Sequence, residues 1–152
     1  MNQGIQIRAA IACDREVLVD FNCRLADETE QKTLDRDTVT RGVQAALDDP
    51  NKARYFVACD GERVVGQVMH TWEWSDWRNG VFWWLQSVYV HPDYRGRGVF
   101  RRLFEHVREL AQGDPEVVGL RLYVEQENSP AREVYRKLGL VEPGYHVLEL
   151  PG

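Results

Sequence analysis

The chain has 152 residues, 43% of them hydrophobic, and a net charge of -5; that is enough for one domain spanning residues 1–152, burying roughly 70% of its unfolded surface. The acidic balance argues against a general nucleic-acid binder, whose affinity depends on excess positive charge. Cys13, Cys23 and Cys59 have no CxxC spacing and no apolar run reaches the roughly 18 residues of a membrane span, so neither disulfide framework, zinc site nor membrane is implied and a reducing, cytoplasmic setting is expected.

Residues 4–10 alternate Ile5, Ile7 and Ala9 against Gln6 and Arg8, which predicts a short half-exposed strand. From Asp14 a helical pattern places Val17, Leu18, Phe21 and Leu25 on one face. Residues 27–32, polar and acidic, read as a loop. A second helix follows from Asp35, a suitable N-cap, through Val39, Val43, Ala46 and Leu47, and stops before Pro50. Residues 55–59 then read as a strand, Asp60 and Gly61 as a turn, and Arg63 toward Trp74 as a longer strand, so this region is a hairpin. After a turn over residues 75–80, residues 81–90 are apolar and aromatic apart from Gln86 and Ser87, the pattern of a central strand. The five tryptophans, Trp72, Trp74, Trp77, Trp83 and Trp84, all lie in or beside this second hairpin. They suit the cover of a sheet, or an aromatic pocket for an amine.

Pro92 ends the ladder, and the glycines of the sequence YRGRG (94–98) let backbone N–H groups approach a ligand closely. Beyond them Val99, Leu103, Val107 and Leu110 form a helical stripe, with Phe100, Phe104 and Ala111 beside it. A helix start carries unpaired N–H groups and partial positive charge, which suits a phosphate. Arg95, Arg97, Arg101 and Arg102 add full charges, although arginines alone would only solvate a helix face. The spelling excludes a P-loop, because Val99 and Phe100 stand where Lys and Ser or Thr are needed, and a dinucleotide fingerprint, because Arg101 stands at its third small residue. Residues 117–124 alternate Leu120, Leu122 and Val124 against Gly119, Arg121 and Tyr123, a strand that should run parallel to 81–90 across a right-handed crossover, with a ligand site at the carboxyl ends of the pair. Ser129 and Pro130 read as N-cap and first residue of a last helix with Ala131, Val134, Tyr135 and Leu138 on one stripe and Gly139 as a left-handed stop. Residues 140–150 contain two brief strand-like pieces around Pro143 and Gly144.

Two stretches resemble the GNAT superfamily of N-acetyltransferases. YRGRGVF (94–100) resembles its acyl-coenzyme A signature, with Arg95 in the first place and Gly98 in the glycine place, and Phe100 where the family has a small residue. ENSPAREVYRKLGL (127–140) resembles its second motif, with Asn128, Ala131, Tyr135 and Gly139 in place. The resemblance implies an α/β fold, a mixed and mostly antiparallel sheet with one parallel splayed strand pair, flanked by helices. It also implies acetyl-coenzyme A as cosubstrate. The edge Ser87, Val88, Tyr89 and Val90 would bond the pantetheine arm. The turn Arg95, Gly96, Arg97, Gly98, Val99, Phe100, Arg101 and Arg102 would hold the phosphates, and Asn128, Ala131 and Tyr135 complete the cofactor site. Phe100 must turn into the core to leave the N–H groups open, and its helical spacing with Phe104 suggests that it does.

The implied reaction is direct attack of a primary amine on the thioester, with Tyr135 as general acid. Glu73 is the first candidate base, with Asp76 and Glu125 as other relays. His70, His91, His106 and His146 have no ligand spacing, and the reaction needs no metal. Glu28, beside Asp27 and Glu30, together with Trp74, Trp84, Gln86 and Glu125 are the candidate acceptor contacts, and acid facing tryptophan suits a small cationic amine. A different class, a non-catalytic acyl-coenzyme A sensing domain, shares the same motifs, and a homodimer through the carboxyl-terminal strands is open.

Overall fold

The computed structural model describes residues 4–152. Five strands form one sheet in chain order: β1 (Ile5–Ala9), β2 (Arg54–Asp60), β3 (Arg63–Ser75), β4 (Gly80–Val90) and β5 (Val117–Leu122). The first four are antiparallel neighbours, and β5 runs parallel to β4 because α3 (Val99–Gln112) carries the chain back between them. α1 (Arg15–Glu30) and α2 (Arg36–Asp48) precede β2, and α4 (Ser129–Lys137) follows β5.

Strand alternation divides the core in two. On one face Phe56, Ala58, Val65, Val68, Trp83 and Leu85 pack on Val99, Leu103, Phe104, Val107 and Ala111 of α3. On the other, Tyr55, Val57 and Cys59 meet Leu18 and Val19 of α1 and Val43 of α2. Gly66 allows the close approach of α3, since a Cβ there would stand 3.2 Å from the Val99 side chain and 3.3 Å from that of Leu103.

Several elements differ from the sequence expectation. Residues 27–30 are the last turn of α1 rather than loop: Thr29 Oγ1 donates to the Leu25 carbonyl at 2.7 Å, and only at Gln31 (φ 52°) does the chain turn away. Glu is a good helix former, so acidity did not mark an end. The stripe of α3 is rotated, with Phe104 and Ala111 buried and Leu110 40% exposed. β5 stops at Leu122, two residues early. The N-cap of α4 is Asn128, whose side-chain oxygen accepts from Ala131 N at 3.3 Å, so Ser129 is already helical. Residues 140–150 pair in no strand. The cap at Asp35 is as expected, accepting from Thr38 N at 3.2 Å.

Candidate functional site

β4 and β5 form a fork. They pair from Val81 with Val117 to Leu85 with Leu122 and then part, while β4 keeps its other neighbour until Gly66 with Val90. Among the described residues nothing pairs with that side of residues 86–90, so backbone donors and acceptors line the gap. Within it β4 carries a bulge. Met69 pairs with Gln86 and Gln67 with Tyr89, which leaves Ser87 and Val88 together against Val68. Ser87 takes φ 53°, unusual for a residue with a Cβ. It is held from behind, where buried Gln67 donates from Nε2 to the Ser87 carbonyl at 2.9 Å and Asn22 donates to Tyr55 Oη at 3.1 Å.

The free edge runs into the glycine turn. Gly96 and Gly98 both have φ 77°, and Gly98 is the residue from which α3 starts. Arg102 N reaches the Gly98 carbonyl at 3.1 Å and closes the first turn, so the N–H groups of Val99, Phe100 and Arg101 have no helical acceptor. A Cβ on Gly96 would meet nothing within 4 Å, so open space borders the turn. Phe100 is half-buried, its ring 6.1 Å from Phe104 and 5.6 Å from Tyr135, and so lies away from those N–H groups. An open strand edge followed by a row of unpaired N–H groups fits an extended arm ending in phosphates.

The arginines of the turn have distinct partners. Arg95 donates from Nη2 to Glu28 at 2.6 Å and from Nε to the Val90 carbonyl at 2.9 Å. Tyr89 Oη donates to the same Glu28 at 2.5 Å. Burial alone would raise the Glu28 carboxyl, but the bonds from Tyr89 and Arg95 outweigh it and hold it below the usual range. Glu28 therefore ties the end of α1 to β4 and to the turn. Arg102 donates to the Ile5 carbonyl, Arg101 pairs with Glu105 at 3.2 Å, and Arg97 lies over the Tyr94 ring at 5.2 Å.

Tyr135 projects from α4 against Phe100, and burial pushes its phenol up, which keeps it protonated at neutral pH. Asn128 is occupied as the cap of α4, and Ala131 N is its donor.

The face of the sheet away from α3 carries a connected group at the fork. Glu73 Oε1 accepts from Trp84 Nε1 at 2.8 Å and from Arg121 Nη1 at 3.0 Å. The Arg121 guanidinium lies 3.7 Å from the centre of the Phe82 ring, Trp84 stacks on Tyr123 at 4.5 Å, and Gln86 Nε2 donates to Thr71 Oγ1 at 2.7 Å. Sequence reasoning singled out Glu73, Trp84 and Gln86 but missed Arg121 and Tyr123; their alternation with Leu120 and Leu122 was the available signal. Trp74 does not join them. It shares the strand parity of His70 and Trp72 on the opposite face and is 65% exposed. Glu125 accepts from Glu127 N at 2.8 Å in the turn before α4, and Asp76 lies at the exposed hairpin end.

The family model described as the acetyltransferase (GNAT) family matches residues 18–140. A thialysine N-epsilon-acetyltransferase from Bos taurus is 32% identical over 96 residues, 60% of this chain and 55% of that protein. The spermidine N(1)-acetyltransferase of Escherichia coli strain K12 is 24% identical over 102 residues, 64% of this chain and 50% of that protein. The matched regions thus span about half the length of these curated relatives. Among solved structures, a possible acetyltransferase from Clostridium difficile 630 superposes with a TM-score of 0.92 at 45% identity, covering 99% of each chain.

Proposed function

The chain belongs to the acetyltransferase (GNAT) family, and we propose from that premise that it transfers an acetyl group from acetyl-coenzyme A to a primary amine of a small, cationic acceptor. The observation that carries this reading is the fork: the free edge of β4 leads, through one tight turn at Pro92–Tyr94, into the glycine turn and the uncapped start of α3. Acetyl-coenzyme A supplies an acyl group already activated as a thioester.

The backbone of Ser87, Val88, Tyr89 and Val90 offers its open hydrogen-bonding groups to the amide-bearing arm, in the manner of an added strand. The N–H groups of Gly98, Val99, Phe100 and Arg101 face the phosphates, with Arg97 and Arg101 supplying charge from the exposed side of the turn. Tyr135 returns a proton to the departing thiolate, and its burial favours the neutral phenol that this role needs. The acceptor approaches over the face carrying Glu73, Trp84, Gln86, Arg121 and Tyr123. Glu73 either takes the amine proton through water or orients Trp84 and Arg121, and its two hydrogen bonds favour the orienting role. The names of the thialysine and spermidine relatives support an amine acceptor. The free thiols of Cys13, Cys23 and Cys59 suit a reducing, cytoplasmic setting.

Calorimetric titration with acetyl-coenzyme A, followed by thiol release across polyamines, amino acids, aminoglycosides and acidic acceptors, tests the proposal. Micromolar binding with amine-dependent release is expected. Binding without release under any acceptor would make the protein a sensor, and no binding would remove the site altogether.

A further inference from the structure

Glu73 and Arg121 meet at a single point, although a carboxylate and a guanidinium can join at two. Oε1 of Glu73 accepts both from Trp84 Nε1 at 2.8 Å and from Arg121 Nη1 at 3.0 Å. Among the described residues Oε2 of Glu73 has no donor, and Nε and Nη2 of Arg121 have no acceptor. The guanidinium is nonetheless held in place: it lies 3.7 Å from the centre of the Phe82 ring, and its side chain is only 21% exposed. Arg78 approaches the same ring to 5.1 Å, donates from Nη1 to Ser75 Oγ at 3.4 Å and forms no ion pair among the described residues. Two guanidiniums therefore stand against one carboxylate, and the group keeps an excess positive charge.

Unmatched N–H donors on a cation, next to an unmatched carboxylate oxygen, are complementary to the head of an α-amino acid. Its carboxylate fits the free corner of Arg121, and its ammonium fits Oε2 of Glu73. The place of the pair sets the length of the rest. Arg121 pairs with Trp84, and the open edge of β4 begins beyond Leu85. Three residues of strand, about 10 Å, separate the Trp84 rung from the bulge at Ser87. An amine beside the carboxylate would stop short of the fork, whereas one at the end of a side chain of lysine length reaches it. Phe82, Trp84 and Arg121 also line the same cavity, of about 1290 Å³, as Tyr135, so a molecule held at Arg121 shares open space with the proton donor.

We infer that Arg121 and Glu73 form a receptor for the carboxylate and α-ammonium of the acceptor, an α-amino acid whose side chain ends in the reacting amine. The inference deepens the acetyl-transfer reading and rests on it for what happens at that amine. Once deprotonated, the side-chain nitrogen bonds the acetyl carbon as the C–S bond breaks. The thiolate takes the Tyr135 proton, and the proton lost by the nitrogen replaces it through water.

Calorimetric titration of the full chain in excess coenzyme A, which carries no acyl group to transfer, tests this with lysine and with cadaverine, the same diamine without the carboxylate. Lysine should bind at least tenfold more tightly than cadaverine, a ratio that needs no variant to fold. Arg121→Gln should reduce the ratio at least tenfold, and Arg121→Lys, which keeps the charge but not the fork, should retain part of it. Equal affinities, or no binding of lysine, overturn the receptor. A preference that survives Arg121→Gln does so too, since the carboxylate would then be held elsewhere. Thiol release from acetyl-coenzyme A separates this inference from the reading beneath it. Release with cadaverine as readily as with lysine leaves acetyl transfer standing and removes the receptor; Arg121-dependent binding of lysine without release by any amine does the reverse.

Discussion

His70 offers a test of the core that does not depend on any ligand. Its ring is fully buried, stacked on Trp83 at 4.1 Å and near-parallel to Phe56 at 6.2 Å, and Arg54 Nε donates to its Nε2 at 3.0 Å. Burial, and then the neighbouring Arg54 charge, lower its pKa from 6.5 to about 4. The sign follows directly. Above pH 6.5 the imidazole is neutral in native and unfolded chains alike. Between pH 6.5 and 4 the unfolded chain binds a proton that the native state refuses, so stability falls as pH is lowered and the whole contribution is gone below pH 4. A depression of about 2.5 units at ~1.36 kcal/mol per unit is worth about 3 kcal/mol. His70→Phe keeps a flat ring between Phe56 and Trp83 but cannot titrate, and half-exposed Arg54 can turn to water. Urea unfolding at pH 7 and pH 4 should therefore show the wild type losing about 3 kcal/mol more than the variant. Equal losses in the two proteins would falsify the assignment of a neutral, acid-resistant His70.

The remaining expectations concern the site. Tyr135→Phe should lower kcat roughly 100-fold to 10,000-fold, the usual worth of a positioned proton donor, with little change in KM for acetyl-coenzyme A; near-normal turnover would remove Tyr135 from the chemistry. Gly98→Ala forces a side chain into the left-handed region at a cost of ~1–2 kcal/mol and should weaken acetyl-coenzyme A binding in titration; unchanged affinity would place the phosphates elsewhere. Glu28→Gln should raise KM for acetyl-coenzyme A by a few-fold, because its half-exposed pair with Arg95 is worth only about 0.2–1 kcal/mol; a rise confined to the amine KM would show Glu28 to be an acceptor contact. Ser87→Gly relieves a strained φ and should raise stability by about 1 kcal/mol; destabilisation would mean that the Ser87 side chain is worth more than the strain.

What the sequence revealed was local. The start of α3 is legible because two glycines, a proline and a 3.6-residue apolar period all lie within 20 residues, and the cap at Asp35 because capping involves one turn. The parallel pairing of β4 and β5 follows from the helix between them, whereas their parting was implied only by the family resemblance. The relations that cross the sheet were not legible. Glu73 and Arg121 stand on β3 and β5 with β4 between them, and no spacing along the chain encodes that neighbour. Glu28 stands in the sequence as a candidate acceptor contact, and its bonds to Tyr89 and Arg95, more than 60 residues away, have no signal along the chain. Residues 140–150 read as two brief strand-like pieces, but a strand needs a neighbour across the sheet, and in the structure they pair in none.

The bulge at Ser87 links these distant pieces. Before it Val81, Trp83 and Leu85 point toward α3; after it the parity has changed, so that Val88 and Val90 take that side and Tyr89 points the other way, its ring 5.0 Å from Phe21 of α1. Without the extra residue Tyr89 would face α3 and could not reach Glu28, and Arg95 would lose the carboxylate that fixes the entry to the glycine turn. The bulge, which bends its strand, lies two residues beyond Leu85, where the pairing with β5 ends. One inserted residue therefore turns Tyr89 to α1 and locks the end of β4 there, and buried Gln67, bonded to the Ser87 carbonyl, holds that geometry in place.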